Sequence, residues 1–100
     1  MHYLLIYQTA PDYLTRRGEF RQAHLALAWT FAERGELLLG GAAGDPPDSA
    51  ILLFQGEDAS AAEAFVKADP YVKNGLIRDW TIKPWNTVVG DTASTPIRSV

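Results

Sequence analysis

The segment Tyr3-Leu4-Leu5-Ile6-Tyr7 is apolar at every position, and this constrains the fold more than any other feature of the chain. Its aromatic and β-branched content predicts a strand, ended by the breakers Ala10-Pro11-Asp12. Successive side chains of a strand point to opposite faces, so Tyr3, Leu5 and Tyr7 share one face and Leu4 and Ile6 the other. A sheet with one wet face alternates apolar and polar residues. Leu37-Leu38-Leu39, read as a short buried strand running into Gly40-Gly41, and Ile51-Leu52-Leu53-Phe54 also fail to alternate. Both faces of the sheet are therefore expected to be covered.

The segments between these strands read as helices and turns. Roughly Leu14 to Arg34 is predicted helical, with Phe20, Leu27 and Phe31 at helical spacing and Ala23 and His24 between them. Arg34-Gly35 is a helix stop. Gly44-Asp45-Pro46-Pro47-Asp48 is a turn by composition, and its shortness makes the flanking strands antiparallel. Asp58 or Ser60 caps a second helix running to about Ala68, with Glu63 in its first turn. Ala62, Phe65, Val66 and Asp69 fall on one face of that helix. Arg78 to Trp85 is the last strand. The result is one α+β domain of β-α-β-β-α-β order over residues 1–88. Residues 89–100 form a polar tail, loose or packed on a partner subunit. Two helices cover one sheet face. A second copy is the simplest cover for the other, which predicts a homodimer or a multiple of one.

Composition removes several function classes. The net charge is −3 and no basic cluster exceeds Arg16-Arg17. A phosphate backbone is held by a concentrated basic face, so nucleic acid is not an expected partner. No apolar run approaches the roughly 20 residues of a membrane helix, so no membrane partner is expected. Met1-His2-Tyr3 leads directly into strand-like sequence, with no basic leader region and no cleavage site, and a cytoplasmic location is expected. The absence of cysteine removes disulfides, thiolate nucleophiles and cysteine-based metal sites.

Candidate chemistry centres on histidine. His2, at the start of a strand, reads as a partly exposed surface residue. The two histidines are too far apart in sequence to form a metal-ligand pattern. His24 is different, because it sits inside the apolar stripe of the first helix, one turn after Phe20 and one before Leu27. It is either a core histidine satisfied by a carbonyl or carboxylate, or a general acid/base. Asp69 is equally odd. It closes the apolar face of the second helix, where a bare carboxylate is costly to bury, and it precedes Pro70, which forces a turn. It either binds nearby backbone amides or orients His24. Tyr7, Phe20, Leu27, Gly41 and Tyr71 are candidates for an apolar wall around the pair.

Other segments have plainer readings. Gly40-Gly41-Ala42-Ala43-Gly44 lacks the spacing and the lysine of a phosphate loop, and suits a strand end where backbone passes close to a ligand. Ser49 and Ser60 lie outside any nucleophile-elbow context. Trp29, Tyr71, Trp80 and Trp85 read as core or interface. Asp12, Arg16, Arg17, Glu19 and Arg21 read as a solvated helix face, from which Arg21, one turn before His24 and Leu25, can reach an anionic ligand.

Taken in order, Tyr3-Leu4-Leu5-Ile6-Tyr7, Arg21-Gln22-Ala23-His24-Leu25, Gly35-Glu36-Leu37-Leu38-Leu39-Gly40-Gly41, Ala68-Asp69-Pro70-Tyr71-Val72 with Gly75-Leu76, and Ile82-Lys83-Pro84-Trp85 resemble the YCII-related family over residues 1–88. The Arg-x-x-His-Leu and Ala-Asp-Pro-Tyr-Val segments are the most specific parts. The resemblance implies a ferredoxin-like α+β fold that dimerises through its sheets, with an active site whose histidine and aspartate fall on His24 and Asp69. One branch of that family is similar to a dehydrochlorinase acting on a chlorinated aromatic diol. The chain departs from many members at Ala42, where they carry proline, and in a shorter loop from Asp45 to Asp48.

Three functional readings stand at this level. The first is an enzyme with His24 as acid/base and Asp69 as its orienting carboxylate, acting on a small cyclic or aromatic compound by proton transfer with elimination or isomerisation. Arg21, Tyr7, Gly41 and Tyr71 would then bind substrate. The second is a small-molecule binding or sensing dimer, and the third a structural dimer whose pair ties two helices together. None of them requires a cofactor or a metal.

Overall fold

The computed structural model describes residues 1–99. The chain runs β1 (His2–Thr9), α1 (Tyr13–Glu33), β2 (Leu37–Gly44), β3 (Pro47–Gln55), α2 (Ser60–Ala68), α3 (Pro70–Lys73) and β4 (Ile77–Trp85). The strands form one sheet in the order β2-β3-β1-β4, antiparallel throughout. This is an α+β arrangement consistent with a ferredoxin-like fold. The four-residue α3 is an addition to the expected order. Pro70 opens it, and Asp69, extended at ψ 119°, accepts a hydrogen bond from the Tyr71 amide.

Residues directly opposite in an antiparallel pair share a face. Tyr3 faces Phe54, Leu5 faces Leu52 and Tyr7 faces Ala50, and this side carries the core. Phe31 of α1 and Phe65 of α2 pack on Phe54 with ring centroids 5.4–6.3 Å apart, which puts α1 and α2 on the same side of the sheet. Leu5, Tyr7, Ala62, Phe65 and Leu76 are fully buried. Each large one contributes roughly 1.5–3 kcal/mol of apolar transfer. Both αβ junctions use the same stop. Gly35 and Gly75 have φ of +78° and +77°. After each, the next amide reaches back to the carbonyl of Phe31 or Tyr71, at 3.0 and 2.9 Å. These turns aim the chain into β2 and β4.

Three expectations need correction. Leu37-Leu38-Leu39 is not a short buried strand. It opens an eight-residue edge strand paired only with β3, and Leu39 is 72% exposed because the single chain places nothing over its outer face. Ala23 leaves the buried stripe of α1. Successive helical residues are about 100° apart, so Ala23 and His24 cannot both face the sheet, and Ala23 is exposed. His2 is not a surface residue. Its Nδ1 lies 2.6 Å from Thr87 Oγ1 and it is 4% exposed. The cause is the segment after β4, which closes on itself through Thr95 and Ile97 amides donated to Thr87 and Val88 carbonyls and so holds Thr87 against β1.

Among the described residues, the rest of the outer sheet face is only partly covered. Leu4, Ile6 and Leu53 are half-buried there, and Ile51 and Trp85 are 43% and 45% exposed. Of the aromatics read as core or interface, Tyr71 is core, while Trp29, Trp80 and Trp85 are exposed within one chain. Among the described residues, no helix is long and apolar enough to cross a membrane.

Candidate active site

The site is built around one carboxylate. Asp69 ends α2, held out of the helix by the following proline, and is completely buried. Its Oδ1 accepts from the Tyr71 amide at 3.0 Å and meets His24 Nδ1 at 2.7 Å. Its Oδ2 accepts from the Tyr7 hydroxyl at 2.7 Å. Asp69 is thus both turn-forming and bonded to His24; the two roles weighed for it do not exclude each other. A buried carboxylate is tolerated only when such bonds replace water. An ionised Asp69 would only accept, which would put a proton on Nδ1 and, in the neutral ring, leave the lone pair on Nε2.

The imidazole is held on both faces. It stacks on Tyr71 at a centroid distance of 3.9 Å and an interplanar angle of 8°, and it meets the edge of Phe65 at 6.1 Å. Burial, then the Asp69 charge and the hydrogen bond to it, push the Tyr7 hydroxyl far above the ordinary phenol range, so Tyr7 stays a donor. The Tyr71 hydroxyl is also raised, by burial first and by Tyr13 next, against the opposing pull of Arg21 and Arg17.

His24 borders a cavity of about 400 Å³ between α1 and the β2–β3 side of the sheet. This volume is at the lower end of the roughly 300–1,000 Å³ of small-molecule sites. Arg21, Tyr7, Gly41 and Tyr71 line it, and Asp69 stands behind His24 rather than on the wall. A Cβ at Gly41 would meet nothing within 4 Å, so no close backbone approach requires glycine there. Phe20 and Leu27, expected in the wall, pack against the core instead. The α1 wall includes Arg17, Arg21, His24, Leu25, Ala28 and Trp29. Arg17, Leu25, Ala28 and Trp29 were not among the expected site residues. The signal was a second helical stripe, 17-21-24-28, one step round α1 from the 20-27-31 stripe that carries the core. Arg17 and Arg21 therefore face a cavity and do not belong to a purely solvated face. Among the described residues, no three His, Cys, Asp or Glu side chains cluster as metal ligands would.

The YCII-related domain matches residues 1–86. The chain is 34% identical over 97 residues to Protein YciI of Escherichia coli, covering 88% of this chain and 99% of that protein. It is 30% identical over 102 residues, with the same coverage, to an uncharacterised protein of Haemophilus influenzae. Among solved structures it resembles 5-chloro-2-hydroxyhydroquinone dehydrochlorinase (TftG) of Burkholderia phenoliruptrix, solved with 2,5-dihydroxybenzoquinone. The TM-score is 0.72 at 23% identity, covering 87% of this chain and 95% of that one. It also resembles protein Atu4242 of Agrobacterium tumefaciens, with a TM-score of 0.57 at 15% identity, covering 94% and 98%. At these identities the two structures establish likeness of fold. With a family match across most of its length and a relative at 34% identity, the chain belongs to the YCII-related domain family.

Proposed function

We propose that this protein is an enzyme that moves a proton on a small cyclic or aromatic compound, by elimination or isomerisation, with His24 as acid/base and Asp69 as its orienting carboxylate. The observation that carries the reading is His24 itself: Nδ1 is 2.7 Å from a fully buried Asp69 while the ring borders a cavity. That leaves Nε2 to exchange a proton with a bound molecule, the arrangement a general base needs. Tyr7 holds the second carboxylate oxygen and Tyr71 holds the ring plane, so the imidazole is oriented before substrate arrives. Loss of HCl from a chlorinated diol suits such a site. The proton passes to Nε2, chloride leaves, and no oxidant or reductant enters the balance. The fold-level likeness to a dehydrochlorinase supports this class.

The test is chloride release and quinone absorbance on incubation with 5-chloro-2-hydroxyhydroquinone and related chlorinated hydroquinones. Turnover that follows His24 supports the reading. No turnover on any of them, with an unchanged His24→Ala control, removes the elimination branch. A second copy of the chain over the outer sheet face completes the reading, with residues 1–88 as the catalytic unit and the tail 89–100 beside the partner. Leu39, Ile51 and Trp85 leave that face open and apolar. Light scattering is expected to give at least twice the 11.0 kDa of one chain, and a stable monomer would contradict it.

A further inference from the structure

We propose that the cavity selects a small cyclic or aromatic carboxylate and that Arg17 and Arg21 grip its anionic group. The inference deepens the reading of the His24 cavity as a substrate site and rests on it. It starts from a charge imbalance. Arg17 and Arg21 both line the cavity, and no Asp or Glu does. Asp69, the carboxylate nearest His24, is fully buried and already bonded to Tyr7, His24 and the Tyr71 amide. Arg16 and Arg34 pair with Asp12 and Glu36, whereas among the described residues Arg17 and Arg21 pair with no carboxylate. Two arginines, Arg17 half-buried and Arg21 exposed, therefore line a mostly apolar cavity with no carboxylate paired to them among the described residues.

Their placement is directional. Arg17 and Arg21 are four residues apart and so share a face of α1. Arg17 is further stiffened by lying over the Tyr13 ring, 5.6 Å from its centroid. Along the same stripe come His24 and then Leu25, Ala28 and Trp29. At about 1.5 Å of rise per residue, His24 lies some 4–5 Å along the axis from Arg21. The cavity is thus cationic at one end and apolar at the other, with the imidazole between. A flat ring bearing a carboxylate matches that order: its anion on the planar guanidinium forks, its ring against Ala28 and Trp29, and its reacting position near Nε2. The same cations would hold the negative charge that appears on the ring when His24 removes a proton.

The test is an amide-resolved NMR titration of the full chain with benzoate, salicylate and 2-naphthoate, each paired with its neutral amide. At least one acid is expected to bind saturably, with shifts at Arg21, Ala28 and Gly41. Its amide should bind about tenfold or more weakly, the size of a lost charge-assisted contact. The Arg17→Gln/Arg21→Gln double variant should lower affinity for the acid to that of the amide and leave the amide unaffected. No binding of any of the three acids, equal binding of acid and amide, or wild-type affinity in the double variant would each overturn the proposal. Chloride release from diols by wild-type protein is measured separately. Acid selectivity without turnover would then count against the acid/base reading alone, and turnover without acid selectivity against the anion grip alone.

Discussion

His2 and His24 are both bonded through Nδ1, both sit beside the same sheet, and differ in almost everything that decides chemistry. His24 meets a carboxylate at 2.7 Å and borders a cavity, with 16% of its side chain exposed. His2 meets the hydroxyl of Thr87 at 2.6 Å and lies on the opposite face, where the Thr87 hydroxyl is itself engaged by the Ser94 amide at 2.8 Å. An ionised carboxylate would fix which His24 nitrogen carries the proton. A hydroxyl both donates and accepts, so Thr87 fixes nothing of the kind for His2. A histidine within a fold becomes a candidate acid/base through its partner and its access, not through burial alone.

This contrast gives a ranked set of outcomes. The largest belongs to activity. On a diol that the protein turns over, His24→Ala should cost about 10²–10⁴-fold in kcat, the usual range for a general acid/base, while His2→Ala should leave kcat within a few fold. Equal losses would erase the distinction. Next comes stability. Asp69→Asn replaces an acceptor by a donor facing Tyr7 or His24 and should lower unfolding free energy by roughly 1–3 kcal/mol in urea titration. Thr87→Val at the His2 end should cost less, about 1 kcal/mol, because it removes hydroxyl hydrogen bonds rather than those of a buried carboxylate.

The third outcome depends on pH. The Tyr7 hydroxyl is raised above its ordinary value of 10.0 in the folded chain. The folded state therefore keeps the proton when the unfolded state releases it. Its stabilisation is complete below pH 10 and declines above it, by up to about 1.4 kcal/mol per pH unit. Thermal melts between pH 9 and pH 12 should show a steeper alkaline loss for the wild type than for Tyr7→Phe. The smallest effect is at the start of α2. Hydrogen bonding from Ser60, its side chain first and then its amide at 2.9 Å, lowers the Asp58 carboxyl value. The contribution is present at neutral pH and fades as acid protonates Asp58, so Asp58→Ala should flatten the acid end of the melt profile slightly.

The sequence makes much of this legible, for identifiable reasons. The helix stop at Gly35, the antiparallel strands and the stripe Ala62-Phe65-Val66 each follow from local chemistry that the fold leaves undisturbed. His24 and Asp69 were visible as polar residues on apolar helix faces, which is an energetic anomaly that composition exposes. Arg17 was not, because a charged residue on a helix looks solvated until the fold sets a cavity against it. The environment of His2 was not legible either, since its partner is 85 residues away and arrives only when the chain closes after β4. The bareness of Leu39 depends on strand order, which no local pattern in β2 reports.

The central claim is that Asp69 holds the proton on Nδ1 of His24 and leaves Nε2 free toward the cavity. Ring nitrogen-15 NMR of histidine-labelled protein at alkaline pH reads this directly, with His2 in the same spectrum as the comparison. For His24 the account predicts a protonated Nδ1 and a bare Nε2, and loss of that pattern in Asp69→Asn. A proton found on Nε2 of His24, or a His24 spectrum indifferent to Asp69→Asn, would contradict it.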